Sequence, residues 1–146
     1  MSARAKKIPI IEALNIMEKS LRKVLKYASK SCPILLETPA GEGTEVCTTF
    51  EEFSNFFTRF ENDERLRVCI DTCHVFAAGH EPYTYLLSWN QKHPNTIGLV
   101  HFNDSKFPKG SRKDRHRRIG LGYIGFQQMA RIAKWCVNHN ITMVFE

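Results

Sequence analysis

The apolar positions of this chain alternate between helical spacing and short continuous runs. Over residues 9–30 they recur every three or four positions, which predicts an amphipathic helix with Pro9 in its first turn. The apolar run over residues 33–37 is too short for a helix and predicts a strand that ends at Glu37. A glycine-rich loop over residues 40–44 then separates this strand from the next periodic segment.

The same succession of helix and strand repeats along the rest of the chain. Phenylalanines recur on one face of residues 50–60, and Thr48 and Thr49 each precede a glutamate by three positions, the capping-box pattern of a helix start. Further helices are predicted over residues 82–92 and 126–137, further strands over 66–71, 97–103 and 141–146, and a long polar loop over 104–124. This alternation indicates an α/β fold with parallel strands joined by helical crossovers.

The number of strands limits the architecture. The units recur at a spacing close to the roughly 31 residues per unit of a (β/α)8 barrel of about 250 residues. Four strands cannot close such a barrel, and an open four-stranded parallel sheet would need helices on both faces to bury it. The chain starts with a helix that no strand precedes, and it stops in an apolar run at Glu146. We therefore expect half of a larger fold, either truncated or paired with another chain.

Side chains that bind metal ions stand at the end of each predicted strand. The carboxyl ends of parallel strands share one edge of a sheet, so we expect these side chains to meet. A single such residue is more often a helix cap or a solvated loop residue, but four on one edge favour a metal site. Carboxylates and imidazoles together suit Zn²⁺ or Mn²⁺, and the set exceeds the needs of one tetrahedral ion. The candidates are Glu37, Asp71, His101 and Glu146 at strand ends, with His74, Asp114 and His116 in the loops that leave the same edge.

The long polar loop carries a second signal. Five basic residues and one aspartate stand between Arg112 and Arg118. A basic run by itself is more often a solvated surface than a binding site. Here Asp114 and His116 alternate within it, so basic side chains can hold phosphates while these two hold a metal ion.

The composition fits an ordinary folded domain, because 42% of the residues are hydrophobic and 25% are charged. The formal net charge of +6 is a weak indication of a polyanionic partner. No run approaches the roughly 18 apolar residues of a membrane span, and no signal-peptide core follows residues 1–7, so neither a membrane location nor secretion is expected. Five irregularly spaced cysteines argue against a disulfide framework and favour an intracellular, reducing compartment, either cytoplasm or nucleus. Cys69 and Cys73, which flank Asp71, are interpreted as core thiols rather than ligands.

Five motifs stand in these segments: Leu36-Glu-Thr-Pro-Ala-Gly-Glu-Gly43, Val68-Cys-Ile-Asp-Thr-Cys-His74, His101-Phe-Asn-Asp-Ser-Lys106, Gly110-Ser-Arg-Lys-Asp-Arg-His116 and Ile119-Gly-Leu-Gly-Tyr-Ile-Gly125. In this order they resemble the endonuclease IV family, the zinc-dependent apurinic/apyrimidinic endonucleases of base-excision repair. The resemblance runs through nearly the whole chain. It implies that residues 1–146 form strands five to eight of a (β/α)8 TIM barrel, a partial domain without its amino-terminal half.

The resemblance also implies a role for each candidate. The family holds up to three zinc ions and cleaves the phosphodiester bond 5′ to an abasic site in DNA. The first zinc takes two histidines from earlier strands that have no counterpart here, so two zinc sites are expected and the isolated chain is expected to be inactive. Glu37 would bridge the first two ions, and the second site would be completed by Asp71, His101 and Glu146. The third site would be formed by His74, Asp114 and His116. The catalytic residues would be Glu37 and Glu146, and the side chains near the DNA backbone would be Lys106, Arg112 and Arg115.

Two other interpretations stay open. In one, the chain is a catalytically inactive fragment that keeps its metal ions and binds nucleic acid weakly. In the other, it is a sugar isomerase or epimerase, because such enzymes share this barrel and a metal edge of carboxylates and histidines. A sugar substrate gives no reason for a loop with five basic residues around Asp114 and His116. The expected partners are therefore DNA containing abasic sites and a second chain that supplies the missing half-barrel.

Overall fold

The structure is a computed structural model that describes residues 8–146. Its helices are α1 (Ile10–Val24), α2 (Phe50–Phe57), α3 (Thr72–Ala77), α4 (Pro82–Lys92) and α5 (Phe126–Asn138). Its strands are β1 (Ile34–Glu37), β2 (Leu66–Asp71), β3 (Ile97–His101), β4 (Asp104–Ser105), β5 (His116–Arg117) and β6 (Met143–Val144).

The main sheet has the order β1-β2-β3-β6, and each neighbouring pair is parallel. The predicted α/β fold with parallel strands is therefore confirmed. The register pairs Glu37 with Cys69, Asp71 with His101, and His101 with Val144. The carboxyl ends of the four strands consequently lie side by side at one edge of the sheet.

Several element boundaries differ from the predictions. The first helix ends at Val24 and continues only as a short 3₁₀ helix over Leu25–Tyr27, rather than reaching residue 30. The third strand of the sheet ends at His101, and the last predicted strand pairs only over Met143–Val144. The predicted polar loop contains β4 and β5, which form a separate antiparallel pair. Helix α3 was not predicted from the sequence.

The start of α2 shows how local sequence determines an element boundary. The Thr49 hydroxyl accepts from the Glu52 backbone N–H at 3.2 Å, and the Glu52 carboxylate accepts from the Thr49 backbone N–H at 3.2 Å. This reciprocal pair is the capping box that the sequence predicts, and it satisfies two backbone donors at the helix end. Of the two predicted threonines, Thr49 is the one that caps the helix.

The core lies between the sheet and the helices on its outer face. Val68 and Ile70 of β2 and Val100 of β3 are fully buried in one apolar cluster with residues of α2, α4 and α5. Trp89 of α4 is also fully buried, and its ring meets that of Phe57 edge-on with centroids 5.4 Å apart. This packing holds the strand ends in fixed positions relative to one another.

Both outer strands of the sheet leave apolar surface in solvent. Strands β1 and β6 each pair with one neighbour, and no residue of β1 is buried. Helix α1 likewise has no buried residue, and its Ile11 and Ile16 are exposed. Phe145, directly after β6, is 72% exposed. Within residues 8–146 the outer edges of β1 and β6 have no strand partner, and another polypeptide can add at such edges.

In the described part of the chain, no helix is long and apolar enough to cross a membrane. The cysteines found there are unpaired. Cys47, Cys69, Cys73 and Cys136 are buried, as expected of core thiols, whereas Cys32 is exposed.

Candidate metal centre

The carboxyl edge of the sheet carries a predicted metal ligand at each strand. Glu37, Asp71 and His101 are the last residues of β1, β2 and β3, and Glu146 follows β6 by two positions. Strand alternation points these side chains to the face opposite the helices, because their neighbours in sequence belong to the core. The sheet therefore brings together residues that are far apart in the chain.

His101 lies at the centre of the first group of ligands. Its Nδ1 atom is 2.8 Å from Glu37 Oε1, 3.7 Å from Asp71 Oδ2 and 3.6 Å from Glu146 Oε2. The ligand atoms of Asp71, His101 and Glu146 all lie within 4.8 Å of one another. One imidazole thus faces three carboxylates, each contributed by a different strand or strand end. We call Glu37, Asp71, His101 and Glu146 the strand-end group.

A second group lies beside the first. Asp114 Oδ2 is 3.1 Å from His74 Nε2, and Asp114 Oδ1 is 3.2 Å from His116 Nε2. Asp71 Oδ2 is 4.0 Å from both imidazole Nε2 atoms, so this carboxylate lies between the two groups. We call His74, Asp114 and His116 the loop group. The structure therefore brings all seven predicted ligands together at one edge.

The surroundings of the His116 imidazole indicate whether a cation fits the loop group. Its Nε2 atom is buried and, despite its approach to Asp114, makes no hydrogen bond of acceptable geometry within residues 8–146. A buried polar atom without a partner is costly, and native proteins leave few of them. A metal ion bound by His116, Asp114 and His74 would satisfy this atom, because imidazole nitrogen is a common ligand of zinc. The residues present therefore fit a metal ion.

Helix α3 places His74 in this position. Asp71 caps the helix, and its Oδ1 accepts from the His74 backbone N–H at 2.9 Å. The His74 Nδ1 atom lies 2.9 Å from the Thr38 carbonyl oxygen. Since a carbonyl accepts, Nδ1 carries the proton and Nε2 is left to face Asp114. Thr38 also accepts from the Asp71 backbone N–H through its hydroxyl.

The antiparallel pair β4–β5 carries His116 to the site. The Ser105 position pairs with His116, and the Lys106 backbone N–H donates to the Arg115 carbonyl at 2.9 Å. The buried Asp104 carboxylate fastens the segment that follows, because it accepts from the backbone N–H groups of Gly120 and Gly122. These hydrogen bonds join the two strands of the β4–β5 hairpin and fasten the segment after β5 to Asp104.

The carboxylates around His74 change the pKa of its imidazole. Burial lowers the pKa of this imidazole, but the nearby carboxylates of Asp71, Asp114 and Glu37 and the Thr38 carbonyl together outweigh burial and raise it above its ordinary value. Carboxylates this close to one another need positive charge to balance them. Protonated histidine is one source of such charge in the absence of a metal ion.

Two cysteines border the centre. The Cys69 thiol lies within reach of Glu37 and His101, and the Cys73 thiol within reach of Asp71 and His116. Burial raises the pKa of Cys69 to about 12 and that of Cys73 to about 11, so both thiols are protonated at neutral pH. Both thiols are buried, and their interpretation as core residues stays a prediction.

The three predicted DNA contacts lie on the exposed side of the polar loop. Lys106, Arg112 and Arg115 all have exposed side chains. Arg115 Nη1 is 3.7 Å from Glu42 Oε2, and the Arg112 backbone N–H donates to the Ala77 carbonyl. The exposed Lys106 and Arg112 side chains are therefore accessible to an external polyanion, whereas the Arg115 guanidinium also approaches Glu42 and donates to the Asp114 carbonyl.

Three further polar residues of the site were not predicted from the sequence. Asn103, Thr38 and Asp104 are all buried and make several hydrogen bonds each. All three stand in the motifs that resemble endonuclease IV, but polar residues after a strand are common in loops, so residue type alone assigned them no role. The burial of Asn103 and Asp104, both shortly after β3, was the missing information.

The fold and the site define a parallel α/β protein with a candidate centre for more than one metal ion at its carboxyl edge. The sequence pattern of the family described as the xylose isomerase-like TIM barrel matches residues 1–135. The chain belongs to this family.

Proteins named probable endonuclease 4 are among its relatives. The one from Methanosphaera stadtmanae is 38% identical over 133 residues, which cover 88% of this chain and 46% of the relative. The one from Staphylococcus aureus strain Newman is 46% identical over 101 residues, which cover 66% of this chain and 34% of the relative. The predicted resemblance to endonuclease IV is confirmed. The chain spans about half the length, or less, of these curated relatives.

A solved structure of an endonuclease IV also matches this chain. The crystal structure of endonuclease IV from Thermus thermophilus matches with a TM-score of 0.74 and 29% identity. The match covers 94% of this chain and 51% of that one. The prediction that the chain corresponds to about half of the barrel is confirmed.

Proposed function

We propose that this chain supplies two metal sites of a DNA-repair endonuclease that hydrolyses the phosphodiester bond 5′ to an abasic site. The observation that carries the proposal is the meeting of the strand-end group with the loop group at one sheet edge. The names of the relatives, probable endonuclease 4, support the same reaction class.

Zinc is the proposed metal, with Mn²⁺ as an alternative. The strand-end group would hold one ion and the loop group another, because each combines carboxylate oxygen with imidazole nitrogen. When bound, zinc ions supply a water of lowered pKa and neutralise the charge of the reacting phosphate. The unpartnered His116 Nε2 atom supports the loop-group site in particular.

Glu37 and Glu146 are the proposed catalytic carboxylates. Their side chains are 39% and 54% exposed, whereas the Asp71 side chain is fully buried. A substrate that approaches the edge therefore reaches the two glutamates first. Glu37 also joins the two groups, since its Oε1 atom is 2.8 Å from His101 Nδ1 and 3.6 Å from His74 Nδ1.

The exposed basic side chains of Lys106, Arg112 and Arg115 are proposed to bind the phosphates of the abasic DNA. Such contacts position a duplex without reading its sequence, which suits an enzyme that acts on a missing base. A cleft of about 510 Å³ adjoins the centre, and its lining includes Asn103, His116, Arg117 and Glu146.

We propose that the complete enzyme contains a second set of β/α units. These units would join at the outer edges of β1 and β6, which no other strand of the described residues covers. They would come from a longer form of the same polypeptide or from a second chain, with residues 1–146 as a partial domain. The unpaired cysteines support an intracellular, reducing location.

A nicking assay tests the proposed reaction. The substrate is a labelled duplex with one abasic site, incubated with Zn²⁺ and either this chain or a fusion of it to the half of the T. thermophilus endonuclease IV that it does not match. We expect a cut on the 5′ side of the abasic site by the fusion and none by the chain alone. An undamaged duplex and an Asp71→Asn fusion are the controls.

Each outcome bears on a different part of the proposal. A folded fusion that binds zinc but leaves the abasic duplex intact would overturn the proposed reaction. Nicking by the chain alone would show that two sites suffice. Turnover of a ketose by the fusion, without DNA cleavage, would favour the isomerase interpretation.

A further inference from the structure

Asn103 connects the ends of three strands around the strand-end group. It lies two residues after His101 and is 2% exposed. Its side-chain Nδ2 donates to Asp71 Oδ2 at 2.8 Å, and its Oδ1 accepts from the Glu146 backbone N–H at 3.1 Å. One buried amide therefore holds a carboxylate at the end of β2 and the backbone beyond β6.

The bond to Asp71 selects which oxygen faces the imidazoles. Asp71 Oδ1 is occupied by the His74 backbone N–H, in the cap of α3. Asp71 Oδ2 is the atom near His101 Nδ1, at 3.7 Å, and near the Nε2 atoms of His74 and His116. A carboxylate oxygen has two lone pairs, so Oδ2 keeps one for a cation while the other accepts from Asn103.

The second hydrogen bond of the Asn103 side chain holds the backbone of Glu146. This residue lies outside the paired part of β6, and its side chain is 54% exposed. The donation from its backbone N–H to Asn103 Oδ1 holds the residue beside His101. Since β6 ends at Val144, this bond anchors the Glu146 backbone beyond the paired part of the sheet.

The orientation of the Asn103 amide follows from its two partners. If the amide were reversed, its oxygen would face the Asp71 carboxylate and its NH₂ group would face a backbone N–H. The site thus needs one donor and one acceptor at fixed positions, which neither leucine nor alanine offers. The Asn103 backbone is held separately, because the buried Thr72 hydroxyl accepts from its N–H and donates to its carbonyl.

We propose that Asn103 is a positioning residue for the strand-end metal site: it orients Asp71 Oδ2 and delivers Glu146 to the same ion. The inference rests on the proposed function, since it presumes that the strand-end group binds a divalent cation. Hydrogen-bonding partners of ligating carboxylates typically affect metal affinity by about 10- to 100-fold. Loss of the Asn103 amide is therefore expected to weaken one of the two sites within that range.

A Co²⁺ titration of the chelator-treated chain tests this role. The visible absorption of bound Co²⁺ reports both the number of ions and their coordination. For Asn103→Leu and Asn103→Ala we expect one of two ions to bind at least about 10-fold more weakly, with an altered spectrum for that ion. The other ion, at the loop group, keeps the wild-type affinity.

Ser54→Ala is the matched control. It removes a fully buried hydroxyl that bonds to His93 Nε2 at 2.7 Å, so it lowers the melting temperature but touches no residue of the two ligand groups. Its Co²⁺ affinity and spectrum are expected to match the wild type. Circular dichroism confirms the fold of each variant, and if Asn103→Leu does not fold, Asn103→Ala decides the question.

The outcomes separate the two levels of the proposal. A wild-type chain that binds no Co²⁺ would overturn the proposed metal centre itself. A wild-type chain that binds two ions, with unchanged affinity and spectrum in the folded Asn103 variants, would overturn the role of Asn103 alone. An equal loss of affinity in Ser54→Ala would also overturn it, because the effect would then follow general destabilisation.

Discussion

Asp114 divides its carboxylate between two imidazoles, those of His74 and His116. Its removal leaves the loop group with two ligands, so Asp114→Ala is expected to lower bound zinc by one ion per chain. Atomic emission after dialysis measures the zinc content. The control is Glu42→Gln, which removes a carboxylate 3.7 Å from Arg115 that belongs to none of the ligand groups. Unchanged zinc in the Asp114 variant would exclude this residue as a ligand.

His74 links the charge of the site to the stability of the metal-free chain. Its pKa is raised in the folded state, because the carboxylates of Asp71, Asp114 and Glu37, with the Thr38 carbonyl, outweigh the opposing effect of burial. A histidine with a raised pKa stabilises the folded state fully below its unfolded value of about 6.5. That contribution is lost as the pH rises through the folded pKa.

We therefore expect His74→Gln to cost more stability near pH 6 than near pH 8 when a chelator is present. Urea unfolding at both pH values gives the free energy of unfolding of wild type and variant. His139→Gln serves as the control, since His139 stacks on Trp135 outside the site. A His74→Gln deficit that is equal at the two pH values, or larger at the higher one, would contradict the prediction.

At the scale of elements, Asp104 holds the hairpin segment in place. Its fully buried carboxylate accepts four backbone N–H groups: Oδ1 from Ser105 and Ile124, and Oδ2 from Gly120 and Gly122. A side chain at position 122 would collide with this carboxylate, so glycine is needed there. The Asp104 carboxylate is thus the common acceptor for a loop that has little sheet pairing of its own.

Asp104→Asn tests this account. Whichever way the amide turns, its NH₂ group faces two backbone donors, so two charge-assisted hydrogen bonds are lost at roughly 1.5–3 kcal/mol each. We expect the free energy of unfolding to fall by at least about 3 kcal/mol. Asp63→Asn, at a half-buried aspartate paired with Arg65, is expected to cost about 1 kcal/mol or less. Equal losses for the two variants would refute the special role of Asp104.

Elements with strong hydrophobic periodicity were predictable, and short ones were not. The spacing over residues 82–92 predicts a helix at the place where α4 begins and ends. Helix α3 has six residues and starts because the Asp71 carboxylate caps it, a contact that no periodic pattern reveals. The two-residue strands β4 and β5 pair across a long loop, and their pairing depends on buried polar contacts such as those of Asp104.

The residues of the candidate site also divide into those that the sequence predicts and those that it does not. Four of the seven candidate ligands were predicted because the ends of parallel strands converge, and the other three because they stand in loops that leave the same edge. Asn103 and Thr38 were not assigned a role, since their residue types occur in most polar loops and only burial distinguishes them. Strand order thus predicts the strand-end candidates, whereas the residues that orient them require three-dimensional contacts.

At the scale of the whole molecule, exposed basic side chains occur both in the polar loop and on helix α1. The carboxyl edge holds the acidic strand-end group and, beside it, the exposed basic side chains of Lys106, Arg112 and Arg115. Helix α1 carries its own exposed lysines, Lys19 and Lys23 among them. The net charge of +6 is therefore spread over several regions, and only the part beside the metal centre is expected to direct DNA to it.

This placement predicts that charge position, rather than net charge, controls DNA affinity. A triple variant with glutamine at Lys106, Arg112 and Arg115 is compared with one carrying glutamine at Lys19, Lys23 and Lys26, which removes the same charge from exposed positions in α1 and the 3₁₀ helix that follows it.

Fluorescence anisotropy with an abasic duplex over a salt series gives the affinity and its salt dependence. Each phosphate contact contributes roughly 0.9 to the slope of log affinity against log salt, so the loop variant should lose up to about three such contributions and the α1 variant almost none. Equal slopes in the two variants would mean that the basic loop makes no specific contact with the DNA backbone, because then only the total charge would matter.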